Sequence, residues 1–288
     1  MFKPQFSLSG AFENRLMSLR ETNDHLRGLT FPHNKMKTLR EEALNTSISL
    51  IIQPENQRIG YGRVARLLES PFQKPTDESE QPIAAVHAVL KKIRTYTSSS
   101  HRYGEDDFID LYRLLKGDFK RKDQTDKGKK PYRDSHIDIR ENSQKKLYDA
   151  APHGDIHFYT SDLFDWLGYE SKDVHPIIRA IIAYFQVLIV RPFPSDNCKM
   201  AWFLLLSTLN CNDYDFGGYI SLEKDIFVSR EAFTVMCCIW FQELSVPAIS
   251  ADLTFSHISY IFCLLLRTQS QKGGYGLIRN MQEKWGRS

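Results

Sequence analysis

Arg191-Pro-Phe-Pro-Ser-Asp-Asn-Cys-Lys-Met-Ala-Trp202 lies between two strongly apolar segments of the chain. Upstream, Pro176-Ile-Ile-Arg-Ala-Ile-Ile-Ala-Tyr-Phe-Gln-Val-Leu-Ile-Val190 puts Ile177, Ile178, Ile181, Ile182, Phe185, Leu188 and Ile189 on one broad helical face, which predicts a mostly buried helix. His175 or Asp173 caps it, and Pro176 stands early, where its missing N–H is harmless. Pro192 and Pro194 end it. A second helix, apolar nearly all round, starts near Asp196 or Asn197 and runs through Leu206. Residues 191–199 therefore sit at a helix N-terminus, where unsatisfied N–H groups and the helix dipole favour an anion. Arg191 and Lys199 are two cations converging on that place, and a phosphate, nucleotide or carboxylate is the class of ligand they would attract. The competing reading, that both only satisfy nearby carbonyls or Asp196, stands beside it.

Working outward, the pattern is mainly helical. Phe12 to Leu26, Met36 to about Ile52, Arg63 to Leu68, Ile83 to Tyr96 and Asp106 to Leu115 carry helical spacing. The segment 70–82 is rich in proline and polar residues and reads as a loop. Lys116 to Lys130 is charged without apolar period and reads as another. Its lysines are diluted by Asp118, Asp123 and Asp126, so a solvated loop outweighs a nucleic-acid contact. Ile137-Asp-Ile139 alternates with period two, and Asp155-Ile-His-Phe-Tyr159 is its expected partner strand in a small hairpin. Thr160 or Ser161 then caps a helix through Leu167.

Composition narrows the classes. The chain has 288 residues, 42% hydrophobic and 25% charged, with a formal charge of +3. These values fit one large soluble domain or one domain with extensions, with no general electrostatic case for nucleic acid or an acidic membrane surface. No signal peptide is recognisable, and the longest apolar run falls short of the ~20 residues of a membrane span. A cytoplasmic protein is expected. Five cysteines without C-x-x-C spacing argue against a disulfide framework and a zinc site. His153-Gly-Asp-Ile-His157 has metal-like spacing, but Gly154 and strand-like surroundings favour surface histidines, and no metal is expected. Gly60-Tyr-Gly62 lacks a preceding strand and the rest of a dinucleotide fingerprint, so it reads as a turn.

Residues 175–206 resemble the core of the Fic/Doc (Fido) family, whose hallmark is H-P-F-x-[DE]-G-N-G-[RK]-x-x-R. Pro131 to Ile139 resembles the segment leading into that family's target-binding flap, and Ala251-Asp-Leu-Thr254 resembles its later helices. The resemblance implies an all-α, Fic-like helical bundle with a small β-hairpin flap. It divides the chain into an N-terminal helical region (1–105), a Fic-like core (106–212) and a C-terminal helical extension (213–288). It also implies transfer of AMP from ATP to a protein hydroxyl, with the histidine as base, the acidic residue on magnesium and the glycines letting backbone N–H groups approach phosphate.

Most of that chemistry is replaced here. Arg191 stands at the histidine position, and a guanidinium is not a general base; losing a positioned base removes about 10²–10⁴ in rate. Ser195 replaces the carboxylate, so magnesium binding should be weak. Asp196 and Cys198 replace the glycines, and Trp202 the second basic residue. Pro192, Phe193, Asn197 and the cation at Lys199 remain. No catalytic residue is expected. Arg191, Asn197 and Lys199 are the candidate nucleotide or anion ligands, with ATP or another nucleotide as the only cofactor to consider. Ile137, Asp138 and Ile139 are the candidate surface for a protein partner. Nucleic acid and membrane are excluded as partners, and the oligomeric state is left open. The alternative is an active transferase with another donor or base, His136 being the substitute base. Leu39 to Leu50 resembles the family's inhibitory helix, with Leu50 where its glutamate would be and Glu55 a weaker candidate. Arg179 is expected to form a structural pair.

Overall fold

The computed structural model describes residues 2–4, 10–52, 61–69, 80–97, 103–117, 130–140 and 146–224. The later helices, Cys237, Cys238, Cys263, Glu55, Gly60, most of the 70–82 loop and residues 118–129 lie outside them.

The described chain is mostly helical: α1 (Gly10–Arg27), α2 (His33–Ile52), α3 (Tyr61–Glu69), α4 (Gln81–Ile93), α5 (Glu105–Leu115), α6 (Ile156–Asp165), α7 (Pro176–Val190) and α8 (Asn197–Asn210). Two short strands, β1 (Asp138–Arg140) and β2 (Lys146–Asp149), pair antiparallel between α5 and α6. Asp138 faces Asp149, Ile139 faces Tyr148 and Arg140 faces Lys146, with an irregularity after Ile139.

The centre is the α7–α8 pair, with α4 and α5 against α8 and α6 against α7. Ile178, Ala183, Phe203 and Leu204 are shut off from solvent entirely, and even Gln186 is buried. Burying each large side chain contributes roughly 1.5–3 kcal/mol, so two helices apolar on nearly every face stay where they are enclosed. His175 caps α7, its Nδ1 accepting from the Ile177 N–H at 3.3 Å while Nε2 lies 3.0 Å from the Tyr214 hydroxyl. Among the described residues no helix is long and apolar enough to cross a membrane.

Three local expectations are corrected. Asp155 to Tyr159 is not a strand: His153–Asp155 forms a 3-10 turn that runs into α6. The partner of β1 is Lys146–Asp149 instead. A five-residue alternation is too short to separate periods of 2 and 3.6, and the longer pattern of buried Ile156, Thr160, Leu163 and Phe164 is helical. The α6 N-cap is Asp155, not Thr160 or Ser161; the Thr160 hydroxyl bonds back to the Ile156 carbonyl at 2.8 Å within the helix. Finally, α6 ends at Asp165 and passes into a π turn over Trp166–Glu170.

Candidate functional site

The turn joining α7 to α8 is built by five side chains. Arg191 closes α7 in the left-handed region (φ 47°), its N–H donating to the Val187 carbonyl at 2.8 Å. Pro192 and Phe193 follow, and the fully buried Phe193 ring stacks on Tyr112 with centroids 4.0 Å apart. Asn197 locks the turn from the other side: its Oδ1 accepts from the Phe193 N–H at 2.9 Å and its Nδ2 donates to the Phe193 carbonyl at 2.7 Å. The buried Asn197 amide is thereby used at both ends inside the loop. Asp196 is the N-cap of α8 with φ 59°. Left-handed backbone suits glycine, and aspartate is among the few other residues that adopt it readily. The aspartate thus keeps the backbone bend while adding a carboxylate.

That carboxylate organises the local charge. Lys199 Nζ lies 3.0 Å from Asp196 Oδ1, Lys116 at the end of α5 pairs with Oδ2, and the Ser195 hydroxyl donates to Oδ2 at 2.9 Å. Burial would raise the Asp196 carboxyl, but the Lys116 hydrogen bond, the Lys199 charge and hydrogen bond and Ser195 outweigh it and hold the group well below the usual carboxylate range. Lys199 is therefore engaged at the mouth of α8. Two ammonium groups on the Asp196 carboxylate, with a serine beside it, do not fit a magnesium ion.

Arg191 is placed differently. Its Nε is buried without a hydrogen-bond partner. Behind it Arg133, only 3% exposed, grips the base of the turn. Its guanidinium donates to the carbonyls of Arg191 at 2.7 Å, Ser135 at 2.6 Å, Val190 at 3.2 Å and Ala151. The Arg133 N–H donates to the Pro192 carbonyl at 2.9 Å. Burial and then the Arg191 charge lower the Arg133 pKa. Position 191 thus carries a guanidinium with an unspent buried donor beside a second guanidinium whose bonds are all internal.

Trp202, one turn along α8, faces inward. Its indole Nε1 donates to Glu223 at 2.9 Å, and that buried carboxylate also accepts from Ser47 at 2.6 Å and Ser221 at 2.9 Å. Ser47 lies on α2, in the Leu39–Leu50 segment. Cys198 is exposed on the first turn of α8. Arg179 donates to the Asn212 side chain, while its own Nε stays buried without a partner.

The strand pair adjoins the turn through Arg133 and the Ala150 N–H, which donates to the Ile137 carbonyl at 3.1 Å. Asp138 and Ile139 lie in β1 and Ile137 just before it. The exposed His136 Nε2 is 2.8 Å from Asp138 Oδ1. His153 and His157 are both exposed, and no group of three metal-ligating side chains converges among the described residues.

The structure thus brings Arg191, Ser195, Asp196, Asn197 and Lys199 together in one turn, leaves Trp202 one turn deeper and keeps Ile137–Ile139 on the neighbouring strand segment. Lys116, Arg133 and Glu223 were missed. Lys116 reads as the start of a charged loop and Arg133 as one cation among several. Glu223 carries no motif at all. The only sequence signal for any of them is that Arg133 lies in the segment leading to the strands.

No protein-family model and no curated protein sequence matches the chain. Solved structures do. A Fic family protein from Desulfovibrio desulfuricans G20 superposes with a TM-score of 0.71 over 94% of this chain and 78% of that one, at 17% identity. A segment of Fic-1 from C. elegans does so with 0.61 over 93% and 73%, at 15% identity. A Fic domain containing signaling protein from Bacteroides thetaiotaomicron VPI-5482 gives 0.60 over 91% and 97%, at 14% identity. At such identities the likeness is one of fold: the chain has the Fic helical fold.

Proposed function

We propose that this Fic-fold chain is a binding protein without adenylyl-transfer activity. The observation that carries the reading is the state of the α7–α8 turn. A guanidinium occupies the histidine position, and both Lys199 and Lys116 are paired with Asp196. A guanidinium stays protonated and removes no proton from an attacking hydroxyl. A nucleotide triphosphate arriving at α8 would meet the Asp196 carboxylate and would have to draw its lysines away. The unspent Arg191 Nε leaves room for one weaker role, an anion such as a nucleotide phosphate held without magnesium.

The partner is a protein segment docking along the β1–β2 pair. A two-stranded sheet has unpaired outer edges, and an extended chain adds to such an edge through main-chain hydrogen bonds. Localisation in the cytoplasm completes the reading.

The test uses ATP labelled on the α-phosphate, incubated with purified protein and whole-cell lysate, with and without magnesium. No protein should acquire label. A variant restoring the hallmark (Arg191→His, Ser195→Asp, Asp196→Gly, Cys198→Gly and Trp202→Arg) serves as the comparison. Label transferred by the unaltered protein, and abolished by Lys199→Ala, would sink the proposal.

One observation favours the alternative of an active transferase: the His136–Asp138 pair, in which a carboxylate orients an imidazole as in a general-base dyad. On that reading His136→Ala removes transfer that Arg191→Ala leaves in place.

A further inference from the structure

Toward the C-terminal end of α8, about 20 Å from its first residue by helix geometry, a cavity of about 320 Å³ opens between α2, α4, α8 and the turn after α8. That volume is at the small end of ligand pockets. Leu44, Leu90, Leu206 and Leu209 form its apolar side, while Arg27, Arg40, Arg94, Asp213, Asp215 and Glu223 form the polar side. Three cations and three carboxylates leave the wall without net charge, so what the cavity recognises depends on which groups still have bonds to make.

The carboxylates are engaged. Arg27 lies 3.2 Å from Asp213 Oδ1 and 3.5 Å from Asp215 Oδ1, and the Gly217 N–H donates to Asp215 at 3.1 Å. Glu223 has its three donors, Ser47, Ser221 and Trp202. Arg40 is held rigidly: Nε donates to the Gly217 carbonyl at 2.9 Å, Nη2 to the Tyr219 hydroxyl at 3.3 Å, and the guanidinium lies 4.9 Å from the Tyr219 ring centroid. Nη1 of Arg40 has no hydrogen bond among the described residues.

Arg94, the residue that closes α4, differs from both. Its guanidinium makes no hydrogen bond or close ion pair with any described residue, although it lines the cavity. The residue is exposed, and its pKa is lowered, first by partial burial; Glu223 and Asp215 pull the other way and Arg40 adds to the lowering. A guanidinium fork lining a partly enclosed space, with the described carboxylates of its wall already bonded, is a donor set lacking an acceptor among the described residues.

We propose that this cavity binds a small molecule bearing one oxyanion group, a phosphate ester or a carboxylate, gripped by Arg94 with Arg40 Nη1 as second donor. The organic body lies against Leu90 and Leu206. A polyphosphate is disfavoured, because charge beyond one group would crowd Asp213, Asp215 and Glu223. The site is separate from the α7–α8 turn and stands whether or not that turn binds an anion.

The experiment is calorimetric titration of the full chain with phenyl phosphate, benzoate and inorganic phosphate. Saturable binding is expected from phenyl phosphate or benzoate, weakened at least about tenfold in Arg94→Gln and unchanged in Arg191→Ala. Arg94→Lys, keeping charge without the fork, should fall between. Since the Arg94 guanidinium makes no hydrogen bond among the described residues, both variants should melt with the parent protein, and either alone decides the matter. Phenyl phosphate binding without benzoate identifies a phosphate ester; the converse identifies a carboxylate. No binding up to about 10 mM, equal binding in Arg94→Gln and Arg94→Lys, or loss in Arg191→Ala instead overturns the site.

Discussion

Trp202 and Glu223 are joined by a hydrogen bond of 2.9 Å from indole Nε1 to carboxylate, both residues buried. The bond ties the first half of α8 to the far end of the described chain, and through Ser47 to α2. On the reading proposed above, position 202 is where the Fic hallmark would carry its second cation. There the helix turns a neutral donor inward to a carboxylate from another part of the fold. Glu223 is accommodated by three hydrogen-bond donors and a longer-range attraction to Arg94.

Trp202→Phe keeps an aromatic ring but removes the N–H together with the five-membered half of the indole. The buried Glu223 would keep only two of its three donors, so stability should fall by about 1–3 kcal/mol. Urea unfolding measures it. A midpoint equal to that of the parent protein would mean the bond contributes nothing.

Asp196 sets an acid limit on the α7–α8 turn. Its folded pKa is depressed, so its contribution is fully present above the unfolded value, ordinarily 3.8, and is lost as pH falls from there toward the folded value. Asp196→Asn keeps a side chain tolerant of left-handed backbone and removes the charge. The stability gap between parent and variant should be constant from pH 7 to about 5 and should shrink below about 4. A gap independent of pH across that range would show that the ion pairs with Lys116 and Lys199 do not stabilise the turn.

Arg133 serves four carbonyls, two of them, those of Ala151 and Val190, in buried hydrogen bonds. Arg133→Leu should cost about 3–5 kcal/mol. Arg133→Lys should recover little, because one ammonium cannot span carbonyls on both sides of a planar fork. Thermal unfolding of the pair distinguishes this from a loss of charge alone, which lysine would rescue.

Phe193 is enclosed by Tyr112, Phe108 and Tyr132, with ring centroids at 4.0, 5.2 and 5.7 Å. Phe193→Ala should cost about 3–5 kcal/mol, and Phe193→Leu clearly less. Equal losses would mean that the site does not discriminate by volume.

The α7 and α8 helices were legible because their evidence is local. Isoleucines and leucines on nearly every face require enclosure, and two prolines between them require a turn. The resemblance carried by Pro192, Phe193 and Asn197 led to the helical fold. The small strand pair was half read: β1 alternates visibly, whereas Asp155 to Tyr159 has an alternation too brief to outweigh its helical continuation. Within the turn, the pairing of Lys199 with Asp196 was one of two readings left open, and residue types could not rank them.

Residue order along the chain therefore accounts for the helices, their buried faces and the turn at 191–199. Those depend on neighbours in sequence and on the chemistry of single side chains. The fold alone decided that Lys116 reaches Asp196, that Arg133 closes the turn from behind, and that Trp202 meets Glu223. It also decided that Arg94 lines a cavity and that its guanidinium has no acceptor among the described residues. Hydrophobic period states which face of a helix is buried but not against what. Such pairings are set by where distant elements dock and by turns such as that at Gly217, whose φ of +67° and tight contact with the Tyr219 ring leave no room for a side chain.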